Sequence, residues 1–406
     1  MNSRRERRSA LVAKLFDRRT WAVGLGTGIG YSNLSSSSWI VGAILKEGRL
    51  GPEQASFVVT AEMLAMGATM LLLAPMTPRI PRKIGLLVAV ICLIGAQLVS
   101  SAQHDFLGLA VTRAFSGLAF GLVYNIAIGI GAEALNPQRV FAGAATIALV
   151  VGTAFNPLLG WGSSIAGYAG VVFGLSGYCA LLAVPLLCLP LVTAPGPART
   201  TDGASSQVSN QSLIALMVLG IMALLTTSYH GTLLFSVPIA ESVGLKGAGL
   251  GSGLALVSLL SASGGAVAAW IGTRFGKFPP IAIGLVAMAA VLAIYPVPTG
   301  AWMFWVNITA AVGLFWFLSP YIFGLAVDAD RSGRLASGLG SIKIFCTAIG
   351  AGGAGIITDR WGVVWVGYVS AVICLGSILL AYFVVRALES GPSANRQSIS
   401  PAMTES

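Results

Sequence analysis

Charge is what this sequence has least of. Of 406 residues only 9% are Asp, Glu, Lys or Arg, while 56% are hydrophobic. A soluble globular protein carries roughly 25% charged residues. So few charges cannot clothe a water-facing surface, and lipid must be the main solvent. The five cysteines (Cys92, Cys179, Cys188, Cys346 and Cys374) all fall in apolar runs. They have neither metal-ligand nor disulfide-framework spacing and read as small core residues. A Gly-rich phosphate loop, a His/Cys metal set and a nucleophile–base arrangement are all missing, so no enzyme, cofactor or metal is implied. No loop is long enough for a nucleotide-binding domain, which excludes ATP-driven transport by this chain alone. The first nineteen residues, MNSRRERRSALVAKLFDRR, are basic but lack an apolar core. They are expected to form a cytoplasmic tail or surface helix against anionic lipid, not an ordinary signal peptide.

Apolar runs fill most of the rest. Spanning a bilayer takes about 20 apolar residues. The runs predict twelve helices at 20–44, 54–75, 84–101, 106–132, 139–160, 165–192, 212–238, 248–272, 279–296, 301–327, 334–357 and 361–386. This is an all-α membrane protein, and its 51 glycines suit close approach of membrane helices. One long polar stretch, TAPGPARTTDGASSQVSNQ at 193–211, has the composition of a flexible linker. The expected organisation is a basic tail (1–19), a six-helix bundle (20–192), the linker (193–211), a second six-helix bundle (212–386) and a tail (387–406). The net charge of +10 invites a nucleic-acid reading, but the basic residues sit in short loops and at the N-terminus. Eighteen Lys and Arg fall on the N-terminal side of the membrane and four (Lys46, Arg49, Lys246, Arg360) on the other. The positive-inside rule then puts both termini in the cytoplasm. The expectation is a multi-pass protein of the bacterial inner membrane, with lipid around it and no nucleic-acid partner.

The two halves superpose on adding 195 to the residue number. Leu50 falls on Leu245, Ala74 on Ala269, Arg79 on Arg274 and Arg82 on Lys277. Arg139 falls on Arg334, Gly143 on Gly338, Ile147 on Ile342 and Gly160 on Gly355. Parallel repeats of this kind place a substrate site between the halves, near the bilayer midplane.

Several motifs resemble those of the major facilitator superfamily. The loop after the second helix reads Ala74-Pro-Met-Thr-Pro78-Arg79-Ile-Pro81-Arg82-Lys83. It is similar to the family's Gly-x-x-x-Asp-Arg-x-Gly-Arg-Arg, keeping the basic residues and replacing the glycines and the aspartate. Its counterpart in the second half keeps Arg274, Gly276 and Lys277. The fourth helix carries Arg113-x-x-x-Gly117-x-x-x-Gly121, which resembles the family's helix-four arginine motif. The fifth carries Gly152-x-x-x-Asn156-Pro157-x-x-Gly160, similar to the antiporter motif with Asn in place of a Gly. The resemblance implies the twelve-helix, two-bundle fold and transport by alternating access. It also implies gating roles for Arg79, Arg82, Arg274, Asn156 and Pro157.

Three charged residues lie well inside the predicted spans: Glu62, Arg113 and Lys343. Burying a charge in a bilayer costs at least ~2.5 kcal/mol, so such groups pair or face a water-filled cavity. By the 195 offset Glu62 corresponds to Val257 and Lys343 to Ala148, so the repeat packs both positions without charge. Glu62 is the candidate proton-coupling group, with Arg113 in its own half or Lys343 across the interface as partner. Lys343 and Arg113 point to an anionic substrate. Asn33, Tyr31, Tyr124, Asn125, Trp316 and His230 are further cavity candidates, because each puts a polar or ring-bearing side chain in an apolar helix. Trp302 and Trp305, near a helix end, fit an interfacial belt better. The expected function is proton-linked transport of a small organic anion by a monomer. Efflux of amphipathic compounds and an uncoupled facilitator or membrane sensor are the alternatives.

Overall fold

The computed structural model describes residues 17–73, 76, 79–134, 137–189, 210–272, 274–330 and 334–389. The linker at 193–209, most of the N-terminal tail, the last residues from 390 and Ala74 and Pro78 of the loop motif lie outside the described residues. The described residues form fourteen helices and no strand. They are α1 (Arg18–Lys46), α2 (Pro52–Leu73), α3 (Arg82–Ser101), α4 (Phe106–Ala132), α5 (Pro137–Gly152), α6 (Phe155–Cys188), α7 (Asn210–Leu233), α8 (Ser236–Ser242), α9 (Gly247–Ser261), α10 (Ser263–Ile271), α11 (Phe278–Ile294), α12 (Ala301–Ala329), α13 (Arg334–Trp361) and α14 (Val363–Glu389).

These make twelve spans, because three spans are interrupted and one helix turns back. The fifth span breaks at Thr153–Ala154 and the seventh at Leu234–Phe235. Pro157 and Pro238 follow within the first turn of the restarted helix, where a missing N–H costs nothing. The eighth span breaks at Ala262. The boundary between spans five and six lies at Ala166–Gly167, not at the predicted 161–164. Gly167 has φ 55°, a backbone conformation that favours glycine, and the Glu47 carboxylate lies against it. The same carboxylate accepts from the Tyr168 backbone N–H at 2.5 Å, satisfying the first turn of the sixth span.

The 195 offset holds in three dimensions. Gly355 of α13 packs on the Pro52 carbonyl of α2, and its repeat mate Gly160 packs on the carbonyl of Gly247, the mate of Pro52. Gly42 and Val237, 195 apart, pack on one another. So do Lys46 and Glu241, also 195 apart, as an ion pair at 3.0 Å. Equivalent residues can meet only beside the pseudo-two-fold axis, so this end of the axis runs between them. The opposite end carries one ion pair inside each half, and the two are matched. Arg82 pairs with Glu133, and their mates Lys277 and Asp328 pair at 2.6 Å.

Among the described residues the halves are joined chiefly toward one end, with α2 keeping to α13 as far as Gly67 on Phe345. At the end of loop 47–51, α1 packs on α8, α2 on α13 and the first part of α6 on α9. Toward the Arg82 end, α5 and α10 make no extended contact, and nor do α1 and α4 with α7, α12 or α13. A gap therefore runs between the halves from mid-bundle to the Arg82 end.

Glycine packing should hold the closed end more firmly than the ion pair. Overpacking costs about 1–3 kcal/mol, whereas an exposed ion pair contributes about 0–1 kcal/mol. Gly160→Val should raise labelling of a cysteine at Ser35 from the 47–51 side by about 5- to 150-fold, by that overpacking cost. Lys46→Ala should change it by less than about fivefold. Equal effects would refute the packing account.

Candidate functional site

Glu62 and Arg113 meet inside the first half, both wholly buried. Arg113 Nη2 donates to Glu62 Oε2 at 2.5 Å, and Nη1 donates to Gln97 Oε1 at 2.5 Å. Gln97 Nε2 donates to the Ser116 hydroxyl at 2.8 Å, and Ser116 donates to Glu62 Oε1 at 2.9 Å. The four side chains form a closed ring across α2, α3 and α4, leaving only Arg113 Nε without a partner. Gly117 and Gly121 make it possible. They sit directly on the carbonyls of Glu62 and Met66, which brings α4 within reach of α2.

Glu62 does not meet Lys343. Ser56, Thr60 and Gly67 form the face of α2 that packs on α13, with the Thr60 hydroxyl 3.3 Å from the Ala348 carbonyl. Glu62 is two residues from Thr60, about 200° around the helix. It therefore points into its own half, away from α13. The expected choice between two partners resolves in favour of Arg113.

Gln97 and Ser116 were not among the sequence candidates, although the repeat signals them. The ring positions Glu62, Gln97, Arg113 and Ser116 map onto Val257, Leu292, Ile308 and Ala311, all buried. The second half thus packs the same crossing with hydrocarbon. A buried ion pair is often no more stabilising than an apolar substitute of similar volume, so packing alone does not account for the ring.

Lys343 lies mid-bundle and half-buried, with no ion partner among the described residues. Its ammonium stands 4.8 Å from the Phe315 ring centroid. Phe315 stacks on Tyr229 at 4.3 Å and meets the His230 ring edge-on at 5.8 Å. Buried His230 Nε2 has no hydrogen-bond partner. One half-buried cation thus stands among the rings of α7, α12 and α13, at the side of the gap formed by the second half, while His230 Nε2 is enclosed behind it.

Helix α1 supplies the facing wall. From Ala22 to Ile44 every residue is buried except Tyr31, Leu34, Ser35 and Ser38. That spacing is one helical stripe. Tyr31 is 43% exposed although its helix is otherwise enclosed. Its hydroxyl accepts from Tyr124 at 3.3 Å, and the two rings meet edge-on at 5.6 Å. Ser35 is the repeat mate of His230, so these two occupy equivalent places on opposite walls.

Other candidates are engaged elsewhere. Asn33 donates to Met66 Sδ at 3.4 Å. Asn125 donates to the carbonyls of Thr69 and Met70 at 3.1 and 3.2 Å, capping the end of α2. Trp316 lies about 100° around α12 from Phe315, on an exposed stripe with Trp302, Pro320 and Val327, and does not join the Lys343 group. Asn156 Oδ1 accepts from Trp39 Nε1 at 3.0 Å, while Asn156 and Pro157 pack on Gly251 at the closed end. Arg79 is exposed, and Arg274 stands 5.7 Å from the Trp270 ring.

Removing one ring member should cost stability sharply. Arg113→Ala should destabilise by about 3–5 kcal/mol, because it strands a buried carboxylate. The combined variant Glu62→Val, Gln97→Leu, Arg113→Ile, Ser116→Ala, which copies the second half, should recover most of that loss in thermal unfolding. A combined variant no more stable than Arg113→Ala would show that the ring is needed for packing.

The family model of the Major Facilitator Superfamily matches residues 20–347. The fold is similar to that of the D-xylose–proton symporter, with a TM-score of 0.66 at 14% identity, covering 90% of this chain and 95% of that one. It is equally similar to the inward-open conformation of the xylose transporter XylE from E. coli, with a TM-score of 0.66 at 15% identity, covering 93% of this chain and 99% of that one. With most of its length matched by the family model, twelve spans in two repeats and a gap between them, the chain belongs to the Major Facilitator Superfamily of membrane transporters.

Proposed function

We propose that this protein is a proton-linked secondary transporter that moves a small organic anion by alternating access. The observation that carries the substrate class is Lys343. It is a cation beside the gap with no ion partner among the described residues, held over the Phe315 ring. An intramembrane charge left unpaired by protein calls for water or a ligand of opposite sign. The other two intramembrane charges neutralise one another inside the first half. A cationic drug-like solute has no counter-charge here, which disfavours efflux of amphipathic cations.

Glu62 is the coupling group in this reading. Its carboxylate is wholly buried and held by Arg113 and Ser116. A shift of α4 against α2 within the first half would loosen that hold and let the carboxylate take up a proton. The similar fold of a proton symporter lends support to coupling. A second reading rests on the closed ring. If Glu62 stays ionised and held by Arg113 throughout the cycle, the protein is an uncoupled facilitator.

The distribution of Lys and Arg supports both termini on the cytoplasmic side of a bacterial inner membrane. The joined 47–51 end then faces the periplasm, and the gap opens to the cytoplasm. In this reading the basic tail, two six-helix bundles and linker keep the bounds drawn from the sequence. One chain supplies both walls of the gap, which supports a monomer as the working unit. Arg82 and Lys277, each paired within its own half, are the gating residues best placed to stiffen the bundles as they rock. Arg79 and Arg274, exposed on the loops beside them, would act at the same end.

Uptake into proteoliposomes with and without a pH gradient separates the two readings. A proton-linked transporter accumulates solute only with the gradient, and Glu62→Gln abolishes accumulation while leaving exchange partly intact. Accumulation by Glu62→Gln equal to wild type would sink the coupling assignment. Lys343→Ala should weaken anion binding at least tenfold, and Lys343→Arg much less. Unchanged binding in Lys343→Ala would remove the anion assignment.

A further inference from the structure

The anion reading leaves the rest of the solute open, and the wall opposite Lys343 narrows it. We infer that the transported anion is an aromatic monocarboxylate, its ring laid against Tyr31 and its carboxylate held by Lys343. This inference rests on the anion reading above and adds the ring and the way it is held.

The depths agree. At 1.5 Å per residue, Tyr31 lies ~22 Å along α1 from Lys46, and Lys343 lies ~27 Å along α13 from Trp361. Both reference points belong to the joined end. Lys46 bonds Glu241 there, and Asp359, two residues from Trp361, reaches Gly51. The ring wall and the cation therefore stand at a similar level, on opposite sides of the gap.

Tyr31 is built to present a ring. Edge-on contact with Tyr124 and the hydroxyl–hydroxyl bond hold its orientation, and Gly30 lets the Tyr124 ring pack directly on the α1 backbone. Its ring stays 43% exposed, and aromatic solutes complement such a ring by offset or edge-on stacking. Across the gap, the Lys343 ammonium, held over the Phe315 ring, supplies the charge for one carboxylate.

The amides argue against a polyol or sugar acid. Multiple hydroxyls call for several side chains able to donate and accept at once, and carboxamides serve best. Asn33, Gln97, Asn125 and Asn156 all direct their side chains to protein partners away from the gap. Asn307 is 9% exposed and lies about 12 Å along α12 from Phe315, toward the joined end. A single carboxylate matches the single cation.

A solute held this way touches both halves. Tyr31 and Tyr124 belong to the first repeat, and Lys343 and Phe315 to the second. Its binding would favour whichever state brings the two walls to its own length, which is the differential contact a rocking transporter needs.

The test uses the full-length protein in nanodiscs and equilibrium binding of benzoate, acetate and glucuronate. Benzoate should bind at least tenfold more tightly than either of the others. Tyr31→Leu should remove that preference while leaving acetate affinity within about twofold, and Tyr31→Phe should keep it. Lys343→Ala should weaken benzoate and acetate alike. Tyr124→Leu provides a second route to the ring wall should Tyr31→Leu fail to fold. Equal binding of benzoate and acetate, or tighter binding of glucuronate, overturns the aromatic assignment while the anion reading stands. A preference that survives both Leu variants overturns the placement of the ring. Binding of none of the three acids by folded wild-type protein overturns the anion reading itself.

Discussion

A charge inside a lipid-embedded bundle must be neutralised by protein or by what the bundle carries, and that constraint orders this structure. Three charges lie deep in the spans. Glu62 and Arg113 neutralise each other within a ring that Gln97 and Ser116 complete. Lys343 has no such partner among the described residues and stands beside aromatic rings at the edge of the gap. The glycines of α4 exist where they do because the ring needs α4 and α2 in backbone contact. The paired charges belong to one half and the lone charge to the other, so the two sites are physically separate.

The repeat separates scaffold from specialisation. Contacts that recur at the 195 offset are structural: Gly355 on Pro52 with Gly160 on Gly247, and Arg82–Glu133 with Lys277–Asp328. Contacts without a counterpart belong to this protein's own chemistry. The polar ring is replaced by Val257, Leu292, Ile308 and Ala311, Lys343 by Ala148, and His230 by Ser35. The second half packs the equivalent of the ring without any of these charges. The asymmetry is therefore where specificity and coupling are to be sought.

The same distinction bears on motion. The joined end is held by backbone-close glycine contacts, which release as a unit and do not stretch. The open end is stiffened within each half by an ion pair that crosses between helices of one bundle, not between bundles. Each half can then turn as a body, with the axis near Gly42, Val237, Lys46 and Glu241. Such rocking is the general mode of transporters built from repeats.

Much of this was legible before any coordinates. Apolar run length set the number of spans, since bilayer thickness fixes how many apolar residues a helix needs. The offset of 195 located the axis-related pairs, and a search along it would have found Glu133, Asp328, Lys46 and Glu241 as matched or meeting charges. The rarity of intramembrane charge singled out Glu62, Arg113 and Lys343. What the chain alone left undecided was direction. Glu62 had two possible partners, Asn33 and Asn125 were cavity candidates, and Trp316 was preferred to Trp302 and Trp305. A shift of one residue turns a side chain by about 100° around its helix, and only the packed bundle sets that rotation. Composition and repeat, being properties of the chain, determined the architecture. Which polar groups close on each other and which are left for a solute was decided by how each helix is turned against its neighbours.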